Sequence, residues 1–225
     1  MSDQVPISQH SWTGDEQLFG ELTDKQWKIL KAALTVFTEK GYSASTTSEI
    51  ARVAGVAEGT IFRHFKTKKE ILLATLIPLM QNFIGPGVTN SLHDLLLQHD
   101  NLPLEDVLLL IIEDRQKHLT ALWPVLRIVM IEANFHPELR DVLLNNVVKR
   151  VQESFLTFLQ RRQSKGELRA DLDVWTMMRT IAGATAAYLV SRSLFPEREQ
   201  GKENRQELKV IVDLFLKGAQ VDVRY

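Results

Sequence analysis

The chain has 225 residues, 44% of them hydrophobic, with a formal net charge of −1 and no cysteine. That length holds one or two compact domains with a sizeable core. Without cysteine there is no disulfide, no thiolate metal site and no cysteine nucleophile.

Residues 1–22 carry four acids and no Lys or Arg, with Trp12, Phe19 and Leu22 following no period, and are read as a flexible acidic arm. No basic region followed by an apolar stretch opens the chain, so no secretory signal is read and a cytoplasmic protein is expected. Thr23 and Gln26 form a capping box that opens a helix over 24–40, stopped by Gly41, with Ile29, Ala33 and Phe37 facing inward. Thr46 and Glu49 form a second box; Ile50 and Ala51 face inward and Gly55 stops that helix. Ile61 and Phe65, four apart, give the next helix one apolar stripe. Thr67 and Glu70 open a fourth helix through Leu72, Leu76 and Leu79 to about residue 82, with a kink or one loosened turn at Pro78. Residues 23–82 hold nine Lys and Arg against five Asp and Glu. This local basic patch attracts phosphate whatever the global sum.

Gly85-Pro86-Gly87 predicts a break and a domain edge. Beyond it the pattern predicts helices over 88–98, 103–122 and 125–134, with a kink or a boundary at Trp123-Pro124, and a long helix over 137–165 stopped by Gly166. Asp171 or Asp173 caps a helix to residue 194, and a polar loop over 196–203 precedes a final helix to about residue 217. No strand alternation and no internal repeat is visible. The expected fold is all-α, with a three-helix headpiece and a larger helical domain. The expected divisions are 1–22, 23–82 and 83–225. The most apolar late stretch, 181–190, is far short of the ~20 residues a membrane span needs.

The stretch 45–68, STTSEIARVAGVAEGTIFRHFKTK, carries most of the functional information. It predicts two short helices joined by a tight turn, with Thr60, Arg63 and His64 outward on the second. Small, polar and basic outward residues suit a helix pressed into a DNA groove; the alternative is an ordinary helical hairpin. Residues 29–72 resemble the DNA-binding headpiece of the tetracycline-repressor (TetR) family of bacterial transcription regulators. The resemblance runs through Ile29, Ala32, Ala33, Phe37, Gly41, Thr46, Thr47, Ile50, Ala51, the Gly55-Val56 turn, Gly59-Thr60-Ile61-Phe62, Phe65 and Lys68. One departure is Phe62, where the family usually has Tyr, so a hydroxyl that would reach a phosphate is absent.

The resemblance implies a double-stranded DNA operator as partner. It implies backbone contacts by Thr46, Thr47 and Lys68 and a groove-facing set of Ser48, Glu58, Gly59, Thr60, Phe62, Arg63 and His64. It also implies a homodimer built by the last two helices and a small-molecule effector held by the second domain. On the sequence, Ala182, Gly183, Ala186 and Ala187 form a small-residue face, and Leu208, Ile211, Val212 and Phe215 an apolar stripe. Both are candidates for the dimer interface or for packing within one chain. Candidate effector-pocket residues are the aromatic and Met side chains Trp123, Met130, Phe135, Trp175 and Met178, with the polar His118, Arg127 and Asn134. The six histidines lack metal-ligand spacing, and no nucleotide, metalloprotease or nucleophile-elbow motif is present, so neither an enzyme nor a cofactor or metal site is expected. The function read here is a regulator, a repressor released from a palindromic operator by an apolar or amphipathic ligand. A helical protein-interaction adaptor without DNA binding is the alternative.

Overall fold

The computed structural model describes residues 22–194 and 204–220. All of the acidic arm over 1–22 except Leu22, and the polar loop over 196–203, lie outside those residues. The described chain is all-α: ten α-helices and two π-helical turns, with one isolated bridge between Leu168 and Gln220. It forms two compact units, one of residues 22–88 and 121–149, the other of residues 89–120, 150–194 and 204–220.

In the first unit, α1 (Asp24–Lys40), α2 (Thr47–Ala54), α3 (Glu58–His64) and α4 (Lys68–Leu79) form the headpiece. The capping boxes at Thr23/Gln26 and Thr46/Glu49 are both complete. At Thr67 the hydroxyl accepts the Glu70 N–H, but the Glu70 carboxylate turns to the Lys66 N–H, so only half of that box forms. Gly55 ends α2 in the left-handed region at φ 68°, where a side chain would be strained. Ile29, Ala33, Phe37, Ile50 and Ile61 have no exposed surface. Burying each of the larger ones is worth roughly 1.5–3 kcal/mol.

The expected break at Gly85-Pro86-Gly87 does not occur. A π-helical turn over Met80–Ile84 carries α4 directly into α5 (Gly85–Gln98). In that turn the Gly85 N–H reaches back five residues to the Met80 carbonyl, and the widened coil relieves the crowding a proline ring imposes at Pro86. Glycine at 85 has a steric cause: a Cβ would lie 2.7 Å from the Met80 carbonyl oxygen and 3.1 Å from that of Asn146. Asn146 belongs to a second π-helical turn, Leu144–Val148, which separates α7 (Pro137–Leu143) from α8 (Lys149–Ser164) where one long helix was expected. The run over Lys68–Gln98 is long and apolar enough to cross a bilayer, yet Leu72, Leu76, Leu79, Met80 and Ile84 are buried in protein.

Trp123-Pro124 likewise fails to divide the chain, because α6 (Leu104–Glu132) is a single 29-residue helix with Pro124 inside it. The proline costs about 3 kcal/mol in a helix interior. Burial of Val125, Ile128 and Val129 directly after it offsets that cost.

The second unit is built on α9 (Val174–Leu194) and α10 (Asn204–Ala219) with parts of α5, α6 and α8. Its core includes Leu92, Val107, Leu108, Phe158, Leu159, Met177, Leu208 and Val212. Asp173 opens α9, its carboxylate accepting the Thr176 N–H at 2.9 Å.

Candidate nucleic-acid interface and effector cavity

The headpiece presents α3 by burying one side of it. Ile61 and Phe65 go inward, while Glu58, Gly59, Phe62 and Arg63 are exposed and Thr60 and His64 half-buried. Phe62 leaves 49% of its surface in water, which a single-chain core would not ask of an aromatic ring. Ser48 on α2 is exposed as well. The seven residues from Ser48 and Glu58 to His64 expected to face the groove are thus all at least partly accessible on the helix-turn-helix, which can present hydrogen-bonding groups to base edges.

The hydroxyls expected at phosphate have local partners. Thr46 caps α2, accepting the Glu49 N–H at 3.1 Å, and Thr47 donates to the Glu58 carboxylate at 2.7 Å. Glu58 therefore ties the start of α3 to the start of α2, although it stands in the first turn of its own helix. The Lys40 ammonium bonds the Glu49 carboxylate and holds it below its ordinary range, which pins the capping box to the end of α1.

Lys68 has internal partners in this structure. The resemblance implies that its ammonium meets the DNA backbone, whereas in the structure it turns inward. Nζ donates to the carbonyls of Tyr42 at 2.9 Å, Ser43 at 3.4 Å and Ser45 at 2.8 Å. It also lies 4.4 Å from the centroid of the Tyr42 ring. The residue fastens the start of α4 to the loop before α2. Around the same tyrosine, the His136 ring packs edge-on at 5.9 Å, and His136 Nε2 lies 3.5 Å from the buried Glu132 carboxylate. Burial, with the Glu132 charge second, raises the Tyr42 phenol above its usual range. Sequence reasoning did not find this cluster, whose members are scattered over 42–136.

The second unit contains a half-open apolar cavity of about 190 Å³. Its wall comes from α5 (Leu92), α6 (Leu108, Ile111, Ile112, Arg115, Leu119), α8 (Val151, Phe155) and α9 (Ile181, Ala182, Thr185, Ala186, Leu189). None of the eight residues expected to line a pocket is among them. Trp123, Arg127, Met130, Asn134 and Phe135 belong to the other unit. There Arg127 donates to the Thr38 carbonyl at 3.1 Å, Asn134 caps the end of α6 through the Met130 carbonyl, and Met130 and Phe135 are exposed. Of the rest, Met178 is core, Trp175 is exposed and the His118 ring engages the Asp114 carbonyl. The polarity and aromaticity that singled these residues out reflect caps and surface, whereas the cavity is made by aliphatic positions converging from four helices.

The expected dimer residues separate in the same way. Leu208, Val212 and Phe215 are buried in their own unit and Ile211 is half-buried, so the α10 stripe packs within the chain. Ala182, Gly183, Ala186 and Ala187 on α9 are exposed. On α10 the exposed apolar residues are instead Val210 and Leu214.

Known proteins share this architecture. The family model for bacterial regulatory proteins of the tetR family matches residues 29–75, and that for the AefR-like transcriptional repressor C-terminal domain matches residues 118–218. The chain belongs to the TetR family. It is a DNA-binding transcription regulator and not an enzyme. The HTH-type transcriptional regulator Rv1556 of Mycobacterium tuberculosis is 25% identical over 82% of this chain and 83% of its own. The fatty acid metabolism regulator protein of Bacillus subtilis is 45% identical over 27% of this chain and 31% of its own. Among solved structures, FadR from Bacillus subtilis in complex with stearoyl-CoA matches at TM-score 0.60 and 25% identity, covering 85% of this chain and 97% of that one. SmeT, the repressor of the Stenotrophomonas maltophilia multidrug efflux pump SmeDEF, matches at TM-score 0.58 and 18% identity over 92% of this chain and 95% of that one.

Proposed function

We propose that this TetR-family regulator is a repressor that holds a palindromic operator as a homodimer and is released by a small apolar or amphipathic ligand bound in its second unit. The observation that carries the reading is the cavity among α5, α6, α8 and α9, with aliphatic or aromatic residues at eleven of its thirteen wall positions. Effector sites are concave and mostly apolar. The stearoyl-CoA in the Bacillus subtilis FadR structure supports an effector with an apolar part, though not one of that length.

DNA binding is assigned to residues 23–82, and effector binding and dimerisation to 83–225. On α3, Arg63 is the base reader, its fork matching guanine O6 and N7, while Phe62 meets a sugar or a thymine methyl. The dimer face runs along Gly183 and Ala187 of α9 and Val210 and Leu214 of α10, while Ala182 and Ala186, expected in the same face, stand in the cavity wall. A two-fold dimer places its reading helices about one DNA turn apart, ~34–36 Å. Displacing either headpiece then weakens both contacts together. One helix links ligand to DNA: α6 carries cavity residues such as Ile111 and Arg115 and, further along, Arg127, which bonds α1. Coupling of ~1–3 kcal/mol between the two sites would suffice.

A gel shift on an inverted repeat upstream of the protein's own gene tests the reading, with wild-type protein and an Ala186→Phe variant that fills the cavity. Retardation by both, with ligand release only of the wild type, is expected. Failure to retard any inverted repeat refutes the operator assignment.

A further inference from the structure

We infer that the part of the effector buried in the cavity is uncharged and small, about the size of one six-membered ring, so that an acid of the same size binds much more weakly. The inference rests on the reading of the cavity as the effector site. Two wall residues carry polar groups, and the structure gives both an internal partner. The Thr185 hydroxyl donates to the Ile181 carbonyl at 2.8 Å. The Arg115 guanidinium is paired with the Asp114 carboxylate and donates to the Ser91 hydroxyl at 3.1 Å, while Ser91 itself donates to Asp114 at 3.0 Å.

That network decides the charge of the ligand. Arg115 is the one cation in the wall, and Asp114 neutralises it. A ligand carboxylate would have to share the guanidinium with Asp114, bringing two like charges together at a largely buried site, or displace it and leave Asp114 uncompensated. A cationic head would meet Arg115 itself. An uncharged apolar group demands neither, and it covers wall that is otherwise in contact with water. The volume decides the size. Cavities of about 150 Å³ lined by Leu, Ile and Phe hold benzene, and this one is about 190 Å³ with the same kinds of side chain. An eighteen-carbon chain, as in the stearoyl-CoA bound to FadR, exceeds it severalfold.

The test titrates the full-length protein calorimetrically at neutral pH with toluene, benzoate and stearoyl-CoA, in the wild type and in Ala186→Leu, which fills the cavity. Expected are toluene binding at least ~10-fold tighter than benzoate or stearoyl-CoA, a negative heat-capacity change, and loss of at least ~10-fold in toluene affinity in Ala186→Leu. If benzoate or stearoyl-CoA binds tighter than toluene and Ala186→Leu abolishes it, the cavity is an effector site for anions and the inference is overturned while the effector-site reading stands. If no probe binds, or binding survives Ala186→Leu undiminished, the effector-site reading fails and takes the inference with it.

Discussion

Replacing Lys68 by Ala separates two roles for one ammonium. As a phosphate clamp, Lys68 contributes to operator affinity and little to folding. As the internal strut seen here, it contributes to folding and little to the salt dependence of DNA binding. Two of its three carbonyl bonds are short, at 2.9 and 2.8 Å, and the third is marginal at 3.4 Å. Hydrogen bonds to a charged group are worth roughly 1.5–3 kcal/mol each when buried. Lys68 is half-buried, so the lower end applies, about 3 kcal/mol for the pair. The Tyr42 ring adds roughly 0.5–1 kcal/mol. Against this, Lys68 is the first residue of α4, where the helix dipole disfavours a cation, and removing it returns about 0.3–1 kcal/mol. The net expectation is a loss of about 2.5–3.7 kcal/mol in urea unfolding followed by circular dichroism. In parallel, the slope of log K against log salt on the operator should change by much less than the ~0.9 that one lost phosphate contact gives. Unchanged stability together with a slope reduced by ~0.9 would refute the reasoning and restore Lys68 to the DNA interface.

Arg63→Ala should cost ~1–3 kcal/mol on the operator and relax preference at one base pair per half-site, measured by competition gel shift; an equal loss on random DNA makes Arg63 a phosphate contact instead. Leu214→Asp should leave helix content intact while lowering the mass seen by light scattering from about twice the 25.7 kDa chain to one copy. Val212→Asp, two positions away and fully buried, should unfold the second unit instead. Because the bond from Lys40 holds the Glu49 carboxyl below its ordinary range, its stabilising effect is complete at neutral pH and disappears as pH falls through the folded-state value. Glu49→Gln should therefore flatten the acid limb of the stability profile, and an unaltered acid midpoint counts against a role for the pair.

The headpiece was legible because its signals are local. Thr23 with Gln26, Thr46 with Glu49 and Gly55 each act within one turn of chain, and the structure contains all three as the spacing predicts. The prolines and glycines of the remainder misled because their effect depends on distant packing. Pro124 stays inside α6 because Val125, Ile128 and Val129 are buried beside it, and Gly85-Pro86-Gly87 stays helical because a π turn precedes it. A stripe such as Leu208, Val212 and Phe215 reports that a face is buried without reporting what buries it. Here the chain's own core does so, and the exposed apolar residues of α10, Val210 and Leu214, lie outside that stripe.

The cavity shows the same limit at the level of function. Apart from Arg115 and Thr185, its wall positions are Leu, Ile, Val, Phe and Ala on helices whose other apolar residues are plain core, so none of these differs in kind from its neighbours. What distinguishes them is that their side chains do not fill the space between four helices, and such a packing defect is a property of the assembled unit. An unfilled volume costs stability by leaving its lining without contacts. A ligand that restores those contacts stabilises the conformation it occupies. Under the function proposed above, α6 runs from that wall to the residue that bonds α1, and the same stabilisation would select among positions of that helix.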